Sequence, residues 1–241
     1  GDAPALTGMT SCTYTVSSTP PLCATTEDEP MTKTPDPGPL PPDAFHRWYG
    51  GWDPLDPTSI IEFMHGFDRP WWIIGGWSIE KWTGISRPHE DMDISIFGSD
   101  AEAFRLFLGE EWTPWNMDRT WLRPFDHRFR ELRIPSSIWV RRNAQSPWVL
   151  DVPLTPEQDG RWTNKKLPGH QAPLEDVTWI ADDGLRYLRP EIALFMKHQQ
   201  ARAKDREDAA TLLPLLDEQQ RQWLRHAVAQ TRPDHPWLKA L

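Results

Sequence analysis

Cysteine is almost missing from this chain of 241 residues: Cys12 and Cys23 are the only two, and none follows. That excludes a disulfide framework or a Cys-ligated zinc site from the body of the protein. No apolar run approaches the roughly 20 residues of a membrane span. The N-terminus lacks the basic-then-apolar order of a secretory signal, so a cytoplasmic location is expected. Positive charge is also short, with 26 Lys and Arg against 35 Asp and Glu and a net charge of −9. Residues 1–44 hold six acids (Asp2, Glu27, Asp28, Glu29, Asp36, Asp43) and one base (Lys33), contributing −5 and leaving −4 for the rest. A protein that grips nucleic acid needs a basic footprint, so nucleic acid is not the expected partner and a small cationic substrate suits the balance better.

Tryptophan is abundant instead, with 15 copies, all between positions 48 and 237, enough to build a substantial aromatic core. Residues 1–44 are rich in Pro, Thr and Ser without apolar periodicity. They read as a disordered leader, within which Met31 would serve as an initiator. Helices are expected over 57–66, 78–82 and 100–108, and strands over 71–74 and 92–97. Three more strands are expected within 119–152, a loop-rich stretch over 155–186, and helices from Pro190 to the end, one of them capped by Asp217. The fold class is therefore α+β: a mixed β-sheet flanked by helices over 45–186, then a C-terminal helical region over 187–241.

Chemistry concentrates in residues 70–97, PWWIIGGWSIEKWTGISRPHEDMDISIF. Gly75 and Gly76 follow a strand and precede a helix, where glycines let backbone N–H groups approach a phosphate. Asp91 and Asp93 alternate with Met92, Ile94 and Ile96, so the acids share one face while the apolar residues face a core. Two adjacent carboxylates on a buried strand repel unless a cation lies between them. A divalent ion is the economical answer, and Mg²⁺ prefers oxygen ligands and leaves positions for phosphates. Asp151, in the apolar run WVLDVPL, would complete a three-carboxylate cluster if its strand lay beside the first.

This combination resembles the signature of the nucleotidyltransferase superfamily, Gly-Gly followed by Asp-x-Asp. The longer run GGWSIEKWTG-x-x-RPHEDMDI is similar to the aminoglycoside 2''-O-adenylyltransferase-like group, as are PWVLDV, GLRYLRPEIALFMKHQQARAKDREDA and HPWLKAL. The likeness spans roughly 45–241. Glu80 stands where Asp is common, and Pro153 just after the third acid suggests an edge strand or a strand end.

The resemblance implies transfer of a nucleoside monophosphate, with ATP the expected donor, to a hydroxyl of a small acceptor such as an aminoglycoside. One or two Mg²⁺ ions would be held by Asp91 and Asp93, with Asp151 as general base or shared ligand. Gly75, Gly76, Trp77, Arg87 and Lys197 would meet the nucleotide. Arg87 has Glu80 as an alternative partner, and Lys197 a solvated helix face. His89 reads as a structural hydrogen-bonding group, and Lys204, Asp205 and Asp208 as a salt-bridging set. Glu110, Glu111 and Asp126 are candidates for recognising amines. Two further functions stay open: the same transfer to tRNA or protein, and an inactive nucleotide-binding protein.

Overall fold

The computed structural model describes residues 41–118, 121–199 and 202–241. The leader expected over 1–44 lies almost entirely outside the described residues. Its last four positions do not, and Pro42 opens the first helix, α1 (Pro42–Tyr49). Residues 41–241 form one compact unit.

The elements then run as follows: α2 (Ser59–Phe63), β1 (Trp71–Ile73), α3 (Gly75–Thr83), β2 (Ile94–Phe97), α4 (Ala101–Leu108), β3 (Thr113–Asp118), β4 (Trp121–Pro124), β5 (Ser137–Arg141) and β6 (Leu150–Thr155). After them come β7 (Glu157–Gln158), β8 (Arg161–Thr163), β9 (Gln171–Ala172), α5 (Leu174–Val177), β10 (Thr178–Ile180), β11 (Arg186–Leu188), α6 (Pro190–Phe195), α7 (Ala203–Leu212) and α8 (Glu218–Thr231). No helix among the described residues is long and apolar enough to cross a membrane.

Eight strands form one mixed sheet in the order β10-β11-β1-β2-β6-β5-β3-β4. The pairs β1–β11 and β2–β6 are parallel and the rest antiparallel. Strand alternation divides the interior in two. Ile73, Ile94, Ile96, Ile138, Val140, Leu150, Val152 and Leu154 face one cluster, with Ile60 of α2 and Phe104 of α4. Trp72 and Phe97 face the opposite cluster, built from Ile79 of α3, Ile192 and Phe195 of α6, Leu212 of α7 and Leu224 of α8. The mixed sheet and C-terminal helices agree with the α+β expectation. Asp217 caps α8 through Gln220 N–H at 2.8 Å, as its position predicts.

One local expectation is corrected, and two others gain detail. The loop-rich stretch 155–186 also holds short strands: β7, β8 and β9 form a small antiparallel sheet, and β10 and β11 extend the large one. These strands are two or three residues long, too short for a period-two pattern to register. Strand β11 lies across the boundary drawn between 186 and 187, and the first C-terminal helix, α6, starts at Pro190 as expected. Pro153 sits in an interior strand, because β6 lies between β2 and β5. Its missing N–H is tolerated on the β2 side, where Ser95 Oγ instead donates to the Pro153 carbonyl at 2.5 Å.

Candidate active site

Strand β2 begins at Ile94, so Asp91 and Asp93 precede it rather than lying within it. Asp93 has the facing expected of it, since Met92, Ile94 and Ile96 are fully buried in the first core while Asp93 lines a cavity on the other side. Asp93 pairs in parallel with Asp151, just beyond the β2–β6 ladder. The backbone seals this arrangement: Asp151 N–H donates to Met92 O at 3.0 Å and Ile74 N–H to Asp93 O at 3.0 Å. Two acids far apart in sequence thus become neighbours on one sheet face. The same cross-strand row continues through Trp139 opposite Asp151 and Trp115 opposite Trp139.

Burial raises the Asp93 carboxyl well above its usual range, and the charges of Asp91 and Asp151 push further in that direction. Asp151 is raised to about 6, first by burial, with Asp91 adding and a hydrogen bond from Ser137 Oγ at 2.5 Å opposing. The Trp139 indole N–H also favours the charged form of Asp151, although it falls outside hydrogen-bonding geometry. Both acids keep some solvent access, and Asp93 lines a recess that is open at its mouth.

Gly75 and Gly76 form the first turn of α3, not a turn ahead of it. Gly75 has φ +69°, which a side chain disfavours. Gly76 packs against the Arg87 guanidinium and the His89 ring, where a Cβ would collide. Trp77 anchors the acid segment: its indole N–H donates to Asp91 O at 3.1 Å and its ring stacks on His89 at 3.7 Å. One face of that indole is therefore taken by protein. His89 meets Glu80 at 2.7 Å, the structural role its position suggests.

Arg87 does not pair its side chain with Glu80. Its guanidinium grips Asp208 of α7 through two bonds, at 2.8 and 3.1 Å, and Glu80 receives only the Arg87 backbone N–H. Lys197 also reaches Asp208, at 3.1 Å, and Asp205 at 3.4 Å. Asp205 also binds Arg202, and Lys204 binds Glu90. The KDREDA segment is thus the salt-bridging set expected, tying α7 to the segment that carries the acids.

A cavity of about 240 Å³ opens beside Asp93 and Gly75. Its apolar wall includes Trp72, Trp162 and Leu188, and its cations are Lys165, Lys166, Lys197 and Arg202. Sequence reasoning found only Lys197. The doublet Lys165–Lys166 lay in the stretch read as loop and carried no periodic signal. The candidate amine-recognising acids are engaged elsewhere: Glu111 pairs with Arg142 at 2.6 Å, and Asp126 binds Arg128 and its own turn. Glu110 is exposed.

The donor set fits a hard, oxygen-preferring cation. Asp93 and Asp151 share a face, repel each other and Asp91, and the Asp93 carboxylate accepts no hydrogen bond among the described residues. Among the described residues no three His, Cys, Asp or Glu side chains form a ready-made cage. Asp93 and Asp151 could therefore supply one or two of the oxygen ligands of a hard divalent cation, the number that Mg²⁺ commonly takes from protein.

The site is thus a pair of neighbouring carboxylates, Asp93 and Asp151, of which Asp93 lines a cavity that also presents four cations, on a mixed sheet backed by helices. The family model described as aminoglycoside-2''-adenylyltransferase matches residues 58–134, which include Gly75, Gly76, Asp91 and Asp93. The similarity to that group read from the sequence is thus matched over this segment of the chain. No curated protein sequence matches the chain. Among solved structures, the antibiotic-resistance factor ANT(2'')-Ia is similar in its solution structure, with 15% identity over 72% of this chain and 92% of that one and a TM-score of 0.47. Its crystal structure with adenylyl-2''-tobramycin gives the same identity and TM-score, over 72% of this chain and 98% of that one. The lincosamide antibiotic adenylyltransferase LnuA, lincomycin-bound, is 17% identical over 66% of this chain and 95% of that one, with a TM-score of 0.46.

Proposed function

We propose that this protein transfers a nucleoside monophosphate, AMP from ATP, to a hydroxyl of a small cationic acceptor of the aminoglycoside type, releasing pyrophosphate. The observation that carries the reading is the Asp93–Asp151 pair beside a cavity lined by Lys165, Lys166, Lys197 and Arg202. Negative charge for a metal and positive charge for a polyphosphate lie side by side.

Asp91 and Asp93 would hold Mg²⁺, which when bound neutralises phosphate charge and favours departure of pyrophosphate. The backbone around Gly75 and Gly76 leaves room for phosphate oxygens at the start of α3. Asp151 takes the proton of the acceptor hydroxyl. Its raised carboxyl pKa, about 6, suits a base working near neutrality, and Ser137 holds one carboxylate oxygen so that the other stays directed. The acceptor oxygen bonds to the α-phosphorus as the bond to the bridging oxygen breaks, and that electron pair leaves with pyrophosphate. Alignment and charge complementarity supply most of the acceleration.

The acceptor side is the one continued by the cross-strand row of Trp139 and Trp115. The matching family's description supports an aminoglycoside. The test is incubation with each labelled nucleoside triphosphate, Mg²⁺ and an acceptor panel, read by mass spectrometry. A nucleotidylated aminoglycoside, lost in Asp93→Asn, is the expected product. Label on tRNA or protein alone would move the assignment to a macromolecular acceptor. Nucleotide binding without product on any acceptor would show an inactive binding protein.

A further inference from the structure

A second cavity, of about 500 Å³, shares no lining residue with the first. Helix α6 gives Ala193 and Met196 to the wall of the first cavity and the region around Glu191 and Ile192 to the second. Four charged side chains line the second: Arg189 and Glu191 at the start of α6, Asp176 of α5, and Asp217 at the cap of α8. The transfer chemistry uses none of them.

These groups are held in place but not neutralised. Arg189 is fixed through its backbone: its N–H donates to Val177 O at 2.9 Å, and its carbonyl accepts from Ile192 at 3.1 Å and Ala193 at 2.9 Å. Its guanidinium makes no hydrogen bond or ion pair among the described residues, and Nε is shielded from solvent without a partner. A guanidinium offers five donors, and leaving a shielded one unmet is unfavourable. Glu191 is only 7% exposed and accepts from Gln220 Nε2 at 3.0 Å. Asp217 accepts the Gln220 N–H at 2.8 Å, and the Asp176 carboxylate has no partner among the described residues. One cation and three acids thus line the same space without an ion pair between them. Trp223 adds an aromatic surface, braced by His170 and Phe195 at 5.2 and 5.7 Å between ring centres. Burial lowers the proton affinity of His170, so that ring adds no positive charge near neutrality.

We propose that this cavity binds a basic α-amino acid, a ligand with one carboxylate and two cationic groups. The ligand carboxylate answers the Arg189 guanidinium, whose fork suits a planar pair of oxygens. The ligand's two cations answer Glu191, Asp176 and Asp217, with Trp223 as an aromatic surface for the side-chain cation. A simple anion would meet one partner and three like charges. A simple polyamine would leave the guanidinium unmet and set a like charge beside it. A ligand of mixed sign with cations in excess matches all four groups. The start of α6 and the cap of α8 already hold these groups, so binding needs little further ordering. The site is separate from the Asp93–Asp151 pair and does not depend on the transferase reading.

The test is calorimetric titration of the whole protein with L-arginine and, separately, with agmatine, the same molecule without its carboxylate. The parent should bind L-arginine more tightly than agmatine; the reverse order would overturn the proposal without any variant. Arg189→Gln should bind L-arginine about tenfold more weakly or worse, the scale of a lost charge-assisted contact, and agmatine at least as well as the parent does. Asp176→Asn should weaken both ligands. Asp93→Asn, at the other cavity, should change neither affinity. A parent that binds no L-arginine at millimolar concentration would overturn the proposal. Equal loss of both ligands in Arg189→Gln would do the same, because the carboxylate contact would then be absent. Loss of L-arginine binding in Asp93→Asn would also overturn it, by placing the ligand at the site acids.

Discussion

A methyl group placed on Gly75 would lie 2.6 Å from Asp93 Oδ2, so the first residue of α3 and the second acid of the site are in as close contact as chemistry allows. The approach serves two ends. It sets the helix start against the carboxylate, and it leaves no side chain between that carboxylate and the backbone around Gly75.

Gly75→Ala should therefore fail twice. Alanine at φ +69° costs about 1–2 kcal/mol in backbone strain, and its methyl must displace the Asp93 carboxylate. The expected result is a lower melting temperature together with a fall in kcat of about a hundredfold, the scale for an ångström of misplacement. Turnover equal to that of the parent would show that the contact does not matter to the chemistry.

Asp208 joins α7 to the site by accepting from both Arg87 and Lys197, and its side chain is only 4% exposed. Asp208→Ala would leave two cations facing each other in a shielded place. Removing one partner of a buried ion pair costs about 3–5 kcal/mol, and denaturant unfolding should register a loss of that size. An unchanged midpoint would place this network among the dispensable surface pairs.

Asp151→Asn separates the two roles open to the third acid. If Asp151 is the base, the variant loses kcat by about 10²–10⁴-fold and still binds Mg²⁺ with nucleotide, because Asp91 and Asp93 remain. Equal loss of nucleotide affinity in Asp151→Asn and Asp93→Asn would make Asp151 a metal ligand first.

Glu191 gives a pH prediction away from the site. It is buried on α6, accepts from Gln220 Nε2 at 3.0 Å, and burial raises its carboxyl above the ordinary value of 4.5. The folded protein then holds this proton more tightly than the unfolded chain. Its stabilising share is full below the ordinary value and is lost as pH rises through the folded one. Glu191→Gln keeps an oxygen for Gln220 and removes the charge. It should melt above the parent at pH 8, with the difference shrinking toward pH 4.5. A difference that grows on acidification would contradict the raised pKa.

What depends on near neighbours was legible before any tertiary contact was known. Alternation set Asp93 against Met92, Ile94 and Ile96, because successive strand residues must face opposite sides. The Asp217 cap followed equally from local chemistry, since a carboxylate there meets the free N–H groups of the helix start. Only the tertiary structure brought Asp151 beside Asp93, because the parallel pairing of β2 with β6 is a long-range choice that no local period encodes. It also turned Arg87 toward Asp208 rather than Glu80, through packing of α7 that neither segment reveals alone. The same holds for Lys165: two lysines in a stretch of two- and three-residue strands look like surface charge, and become part of a cavity only when the small sheet carries them to the acids.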